Sequence, residues 1–368
     1  MILVNDPGNG RAVYWPLDHA AWDGATPTDM IFPCFLVMVG VSMTMSFAAR
    51  LARGATHRSL FLHALRRGAL IVLIGLVINA LPHFHFSRVR IPGVLQRIGV
   101  CYIVSATLYL ALPGPDEGKW RRMREVVIAA VTLLLLVGYW MLLKLYPTPG
   151  FGAGRLDSLG SLPAVVDRAL FGVHHIWRYA ITPGYGPTYD PEGLLSTLPS
   201  IATLLLGVLA GEQLRTSKTR ATQCGVLASM GTVLWLSGLV LSHWMPLNKK
   251  LWTSTFAMFS AGIAILLLAG FLYVIDVRGV RRGWECLLIF GTNATFAYVV
   301  ADLLAIAFYT VHVAESGRPV TVQAWVYEHA FAGWLQPYHA SLAYAIAFVL
   351  VIAAMVYPLY RRRIYLRL

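Results

Sequence analysis

One histidine in this sequence is surrounded by carboxylates and stands directly before a long apolar run. His19 follows Asp18, and Asp23 and Asp29 come within the next ten residues. Groups that titrate near neutral pH are costly at the edge of a membrane, so they are usually functional there. The pattern indicates a general base at His19, and Asp18, Asp23 or Asp29 could either orient it or hold a cationic acceptor. A surface histidine beside a helix cap at Thr28 or Asp29 explains the spacing equally well.

An amide lies at the start of the sequence. Asn5 ends a short apolar stretch and precedes Asp6-Pro7-Gly8. A side-chain amide can donate a hydrogen bond to a developing oxyanion, which would place Asn5 in an oxyanion hole. Asn-Asp-Pro-Gly is also a typical turn sequence, and taken alone Asn5 is better explained as a turn residue.

Two arginines flank the start of an apolar segment. Arg90 lies in a basic stretch directly before it, and Arg97 lies one helical turn inside it. An arginine in such a place can bind a phosphate or pair with a carboxylate. An anchor at the membrane interface explains Arg90 equally well, whereas the position of Arg97 indicates a buried partner or ligand.

The other candidate binding residues lie in the second half of the chain. Asp190 and Glu192 open an apolar span, where capping of the helix would by itself explain two acidic residues. Asp302 lies deep in its span and should face the bundle interior, either for catalysis or to pair with a buried arginine. The remaining polar candidates are Asn248, Lys249, Trp252 and Asn293.

The composition indicates a membrane protein. Hydrophobic residues make up 57% of the chain and charged residues 13%, with a mean hydropathy of +0.63, whereas a soluble domain is about a quarter charged. The apolar runs are roughly 20 residues long, the length that crosses a bilayer core. The sequence predicts an all-α polytopic bundle, a single domain over residues 1–368 that opens with a partial first helix. The nine predicted full spans are Met30–Ala49, Leu60–Leu81, Gly93–Leu112, Val126–Tyr146, Leu195–Leu214, Gly225–Met245, Leu251–Ile275, Leu287–Val311 and Ala340–Tyr360.

Basic residues are concentrated in alternate connections between these spans. The formal net charge is +13, but its placement sets membrane topology and argues against a nucleic-acid partner. By the positive-inside rule these connections and the carboxyl terminus are cytoplasmic, so His19 and the long segment 147–194 face the other side. The aromatic residues of that segment argue against disorder and predict a folded cap. The basic residues are Arg50, Arg53, Arg58, Lys119, Arg121, Arg122, Arg124, Arg215, Lys218, Arg220, Arg278, Arg281, Arg282, Arg361, Arg362, Arg363 and Arg367.

The cysteines and the adjacent pair His174-His175 give little support for a metal. Cys34, Cys101, Cys224 and Cys286 lie in or beside apolar runs and form no CxxC pair. Neither a zinc site nor a disulfide framework is indicated. The sequence therefore predicts no metal.

Taken together, these segments resemble the heparan-α-glucosaminide N-acetyltransferase family of transmembrane acyltransferases, including its bacterial members. The similarity follows nearly the whole chain in order. The segments that carry it are His19–Gly24 with Asp29 and Phe32-Pro33, Val89–Arg97, Asp167-Arg168, Tyr189–Gly193, Asn248-Lys249 with Leu251-Trp252, Asn293, and the basic carboxyl terminus.

The resemblance implies transfer of an acetyl group from cytosolic acetyl-CoA to the amine of an amino sugar or glycan on the far side of a bacterial cytoplasmic membrane. It implies that His19 matches the essential histidine and Asn5 the active-site asparagine. It also implies a homodimer and a helix where this chain begins with Met1–Val4, a stretch of about 6 Å that cannot span a bilayer. Substrate or cofactor contacts are expected from Asp29, Arg90, Arg97, Asp190, Glu192, Asn248, Lys249, Trp252 and Asn293, and Asp302 stays a candidate for such a contact.

Two other functions remain open from the sequence. A transporter or flippase for an anionic substrate or a glycolipid would also need intramembrane Arg97 and Asp302, and it would move substrate without releasing CoA. An inactive membrane scaffold would bind no acetyl-CoA. Whether transfer is direct or passes through acetyl-His19 is likewise open.

Overall fold

The structure is a computed structural model that describes residues 1–112, 118–216, 218–315 and 317–366. Arg367, one of the basic residues named above, lies outside the described residues. The α-helices are α1 (Ile2–Asn5), α2 (Ile31–Leu51), α3 (His57–Ala80), α4 (Val94–Ala111), α5 (Gly118–Leu145), α6 (Leu162–Phe171), α7 (Thr197–Leu214), α8 (Arg220–Leu241), α9 (Ser254–Leu272), α10 (Glu285–Thr292), α11 (Ala294–Thr310), α12 (Val322–Tyr327) and α13 (Pro337–Arg361). Turns of 3₁₀ helix cover Trp15–Leu17, Pro27–Met30 and Phe86–Arg88, and turns of π helix cover Tyr273–Val277 and Glu328–Ala332.

The long helices confirm an all-α polytopic fold. Among the residues that the structure describes, eight helices are long and apolar enough to cross a membrane, and the bent pair α10 and α11 would form a ninth. These helices coincide with the apolar runs because a backbone in lipid must satisfy its hydrogen bonds internally, which a helix does. The only strands within the described ranges form two short antiparallel hairpins, β1 (Ile181–Thr182) with β2 (Gly186–Pro187), and β3 (His312–Glu315) with β4 (Arg318–Thr321).

The apolar run predicted as the single span Leu287–Val311 forms two helices, α10 and α11. α10 and α11 meet at 82°, because Asn293 takes a φ of −134° and a ψ of 44° that end one helix and begin the next. Its side-chain amide donates to the Ile364 carbonyl at 3.0 Å and accepts from the Leu366 amide at 2.8 Å. Hydropathy predicted the extent of the apolar run but not its bend.

Helices α2 and α7 form the centre of the bundle and touch through their backbones. A Cβ added to Gly40 would lie 2.2 Å from the Leu204 carbonyl oxygen, and one added to Gly207 would lie 2.2 Å from that of Val37. Small residues that let two helices approach in this way are typical of packing in membranes. The contact fixes the helix that follows the His19 loop against the helix that follows Asp190 and Glu192.

The segment 147–194 is folded and held by buried polar contacts. It contains α6 and the hairpin of β1 and β2. Asp167 is fully buried and accepts a hydrogen bond from the Leu194 amide at 2.9 Å. A Cβ on Gly193 would lie 1.8 Å from the Asp167 Oδ2 atom, so only glycine allows this close approach. The segment is thereby joined to the start of α7.

Candidate active site

His19 and Asp29 form a hydrogen-bonded pair. The His19 Nδ1 atom lies 2.7 Å from Asp29 Oδ1, and the Asp29 side chain is 1% exposed whereas that of His19 is 46% exposed. Asp29 Oδ2 accepts from the Ala20 amide at 3.1 Å, the Thr26 amide at 3.0 Å and the Thr26 hydroxyl at 3.1 Å. Asp29 therefore caps the helical turn with one oxygen and contacts the imidazole with the other. Of the three nearby carboxylates, the structure brings this one to His19.

A lysine completes the pair. Lys249 Nζ lies 3.4 Å from Asp29 Oδ1 and 3.1 Å from His19 Nδ1. An ionised carboxylate oxygen can only accept a hydrogen bond, so the His19 Nδ1–H donates to Asp29. The Lys249 ammonium forms an ion pair with the same carboxylate. The Nε2 atom of His19 is then the acceptor, with Lys249 Nζ 3.5 Å away. Burial lowers the pKa of Lys249, and the neighbouring Asp29 and Glu192 act in the opposite direction.

A second charged cluster joins the segment before α4 to the segment before α7. Arg90 donates from Nε to Asp190 Oδ2 at 2.8 Å and from a second nitrogen to Asp190 Oδ1 at 2.5 Å, in the paired geometry of an arginine and a carboxylate. The same guanidinium donates to Glu192 Oε2 at 2.5 Å. Burial raises the pKa of Glu192, but Arg90 and the other nearby cations outweigh it and hold the pKa below its ordinary value. The ionised form of Glu192 is thus favoured beside the site.

These groups line one cavity, which we call the outer cavity. It has a volume of about 430 Å³. Six of the residues singled out in the sequence line it, namely Asn5, His19, Asp29, Arg90, Glu192 and Lys249. The Asn5 side chain makes no hydrogen bond to any other described residue, so its amide is a free donor at the cavity wall.

A second cavity, which we call the inner cavity, adjoins the first and is almost wholly apolar. It has a volume of about 510 Å³ and is lined by residues of α1, α2, α3, α4, α13 and both arms of the bent pair. The two cavities share Met1, Ile31, Val94 and Tyr298 as lining residues. The cavity that holds His19 and the apolar cavity beside the bend at Asn293 are therefore neighbours on either side of these four residues.

Three of the expected site residues lie behind the cavity wall and hold it in place. Arg97 is buried and donates to the Gly193 carbonyl at 3.0 Å and to the Ser196 hydroxyl. Trp252 is 1% exposed, and its ring lies 5.3 Å from the Arg97 guanidinium. Asn248 accepts from the Leu251 amide at 2.8 Å. These contacts fix the loop that carries Lys249 and the turn that carries Glu192.

The other three expected residues are not brought to the cavity. Asp190 holds Arg90 from behind, as described above. Asp302 lines neither cavity, whereas Tyr298, one helical turn before it in α11, lines both. The Asn293 side chain is hydrogen-bonded to the carboxyl-terminal segment.

Sequence reasoning did not single out an aromatic and cationic part of the outer wall. These residues are Trp22, Trp177, Tyr179, Tyr189, Lys250 and Tyr298. The concentration of aromatic residues in the segment 147–194 was the available signal, and it was used only as an argument for order. Within the described residues no group of three or more histidine, cysteine, aspartate or glutamate side chains could hold a metal ion.

The chain is similar to two curated proteins, both named heparan-alpha-glucosaminide N-acetyltransferase. The protein of Mus musculus is 31% identical over 341 residues, which cover 83% of this chain and 51% of the relative. That of Homo sapiens is 32% identical over 319 residues, which cover 77% of this chain and 48% of the relative. The chain thus spans about half the length of the curated relatives it matches. No protein-family model matches it.

Proposed function

Since this chain belongs to the heparan-α-glucosaminide N-acetyltransferase-like family, we propose that it transfers an acetyl group from acetyl-CoA to the amine of an amino sugar. The observation that carries the proposal is the His19–Asp29 pair, 2.7 Å long, at the wall of a cavity that shares lining residues with an apolar one. A base oriented by a buried carboxylate is the arrangement that acyl transfer to a protonated amine requires.

His19 removes the proton that blocks the attacking nitrogen. Its Nδ1–H is held by Asp29, so Nε2 takes one proton from the ammonium while the nitrogen–carbon bond forms. When the carbon–sulfur bond breaks, Nε2 returns that proton to the departing thiolate. The nitrogen loses its second proton to water, which leaves an amide, the CoA thiol and one free proton. Asp29 stabilises the imidazolium that forms between these steps.

Asn5 stabilises the negative charge on the thioester oxygen. Its amide lines the outer cavity and has no competing partner among the described residues. A donor that is already in place when the oxyanion develops lowers the barrier without reorganisation. Tyr298, which lines both cavities, is a further polar residue at their junction.

The inner cavity gives the donor a route to the histidine. Its apolar lining suits the uncharged pantetheine arm, while the anionic nucleotide is drawn to the basic connections at the other end of the bundle. By the positive-inside rule that end is cytoplasmic. We therefore propose a multi-pass protein of a bacterial cytoplasmic membrane, with His19 on the extracytoplasmic side, and a homodimer as in the family resemblance.

The test uses purified full-length chain in lipid nanodiscs, acetyl-CoA labelled in the acetyl group, and a panel of amino sugars. We expect labelled N-acetyl sugar from the wild type and a loss of about 10²–10⁴-fold in kcat for His19→Ala, which is the usual contribution of a general base. His243→Ala is the matched control, because His243 is exposed and bonded only to the Val240 carbonyl. Unchanged transfer by His19→Ala would refute the mechanism, and movement of a glycolipid without CoA release would favour a flippase instead.

A further inference from the structure

The bend between α10 and α11 forms part of the wall of the inner cavity. Phe290 and Gly291 line the cavity from α10, and Ala294 and Thr295 line it from α11. Asn293 lies between these two pairs, is 3% exposed and does not line the cavity itself. The shape of this wall therefore depends on what holds the chain at Asn293.

A continuous helix is the alternative to the bend. The backbone angles of Asn293, with φ at −134° and ψ at 44°, end α10 and begin α11. Each helix end leaves backbone groups without a partner inside the helix, and such groups are costly in an apolar run that crosses lipid. A straight helix would pair most of these groups. The bent form consequently needs contacts that the straight form lacks.

The side-chain amide of Asn293 supplies these contacts by binding the residues that follow α13. Its nitrogen donates to the Ile364 carbonyl at 3.0 Å, and its oxygen accepts from the Leu366 amide at 2.8 Å. The chain turns back after α13 at Arg363, which has a φ of 54°, and the Ile364 amide donates to the Leu359 carbonyl at 2.9 Å. One planar amide thus joins the bend to residues 364–366, which we call the terminal segment.

The rest of α11 is held independently of this contact. Phe348, Ile352 and Val356 of α13 form an apolar cluster with Ala297 and Ala301 of α11. Loss of the amide contact would therefore free the bend and α10 while α11 keeps its packing against α13. The wall residues contributed by α10 would then move away from the inner cavity and open it.

We propose that Asn293 and the terminal segment form a latch that holds the bend in the shape that completes the inner cavity, which makes Asn293 a positioning residue for the acetyl-CoA donor. The statement about the donor rests on the proposed function. Without the latch, the straight form competes with the bent form, so only a fraction of the molecules has a complete cavity. The apparent donor affinity falls by that fraction, whereas a molecule that has bound the donor is bent and reacts at its usual rate.

Two substitutions break the latch from opposite sides. Asn293→Ala removes the side-chain amide and also favours the continuous helix, because alanine has the higher helix propensity. Leu366→Pro removes only the backbone N–H that donates to Asn293, in a segment outside the helical bundle. Thr292→Ala is the matched control, since the Thr292 hydroxyl donates to the Ile289 carbonyl of its own helix at 3.3 Å and does not line the inner cavity.

The first measurement needs no acetyl-CoA. Cys34 lines the inner cavity, so the rate at which N-ethylmaleimide alkylates it in the full chain in nanodiscs reports access to that cavity. Peptide mass spectrometry separates this thiol from exposed Cys286, the reference, and from buried Cys101, the negative control. Relative to Cys286, both latch variants should label Cys34 about tenfold faster, the effect of losing one or two hydrogen bonds. Thr292→Ala should label at the wild-type rate.

The second measurement is steady-state acetyl transfer at varied acetyl-CoA concentrations. Each latch variant should raise the KM for acetyl-CoA about tenfold and keep kcat within about twofold of the wild type. The double variant should add little to either single change, because both changes remove the same contact. A lower kcat at unchanged KM, or wild-type labelling of Cys34 in both variants, would overturn the latch. Faster labelling of Cys34 in the variants, with no acetyl transfer by the wild type, would refute the proposed function and leave the latch standing.

Discussion

Replacing Asp29 by asparagine should invert the hydrogen bonding of the His19 imidazole. Asp29 Oδ2 accepts three hydrogen bonds, from two backbone amides and the Thr26 hydroxyl. In Asp29→Asn this position must keep an oxygen, because an NH₂ group there would face two N–H donors. The new amide nitrogen is then forced into the place of Oδ1, 2.7 Å from His19 Nδ1.

An NH₂ group at that place can only donate, so Nδ1 must accept and the imidazole proton moves to Nε2. The atom that faces the substrate then carries a proton before the reaction starts. Loss of a correctly oriented base lowers kcat by about 10²–10⁴-fold, and the same exchange in a serine protease triad costs about 10⁴-fold. Lys249 Nζ, 3.4 Å from the changed atom, loses its counter-charge, so we also expect about 1–3 kcal/mol less stability.

The assay follows labelled acetyl transfer at several acetyl-CoA and acceptor concentrations, with thermal unfolding measured on the same samples. The expected signature is a large loss in kcat with little change in the KM for acetyl-CoA, since the donor path is untouched. Asp18→Asn is the control, because Asp18 is the neighbouring carboxylate and its side chain accepts, among the described residues, only from the His19 amide, at 2.8 Å. A folded Asp29→Asn protein that keeps more than about a tenth of the wild-type kcat would refute the argument from orientation.

Three further changes test the site and its support. Asn5→Ala should lower kcat by about 10²–10³-fold, as removal of one oxyanion donor does, and steady-state kinetics with unchanged donor affinity would check this. Gly193→Ala should lower the stability by about 1–3 kcal/mol, since its Cβ would lie 1.8 Å from Asp167 Oδ2, and Gly225→Ala, with nothing within 4 Å, should not. Burial raises the pKa of Asp167 from 3.8 to about 7, so the folded chain keeps a proton that the unfolded chain loses, and stability should fall as the pH rises through that range. Asp167→Asn should flatten this dependence in melting temperatures measured from about pH 5 to 8, and an unchanged slope would contradict the assignment.

The membrane fold could be predicted from the sequence because length and hydropathy determine where a helix crosses lipid. The bend at Asn293 could not, because its cause is a contact with residues 364 and 366 that lie about 70 positions away. The spacing of residues along the chain identified His19 and three neighbouring carboxylates. It did not predict which carboxylate contacts the imidazole, because that depends on the turn between Thr26 and Asp29.

The remaining site geometry depends on contacts between distant parts of the chain. Lys249 is separated from His19 by 230 positions, and Arg90 from Asp190 by 100. The family resemblance pointed to these residues, but it did not predict which of them contact one another. The sequence also allowed a local explanation, as turn or capping residues, for Asn5, Asp190 and Glu192. In the structure Asn5 and Glu192 line the outer cavity as well. Their roles in substrate binding stay predictions.

The glycine contact between α2 and α7 has a consequence for redesign. Because Gly40 and Gly207 bring two backbones together, the helix that follows Asp29 and the helix that follows Glu192 are in direct contact. Altering either helix should therefore disturb both the His19–Asp29 pair and the turn that carries Glu192. Residues 172–189 contribute Trp177, Tyr179 and Tyr189 to the cavity wall and lie outside both helices. Under the proposed function, we expect exchange of this segment between relatives to change acceptor choice more than the rate of transfer.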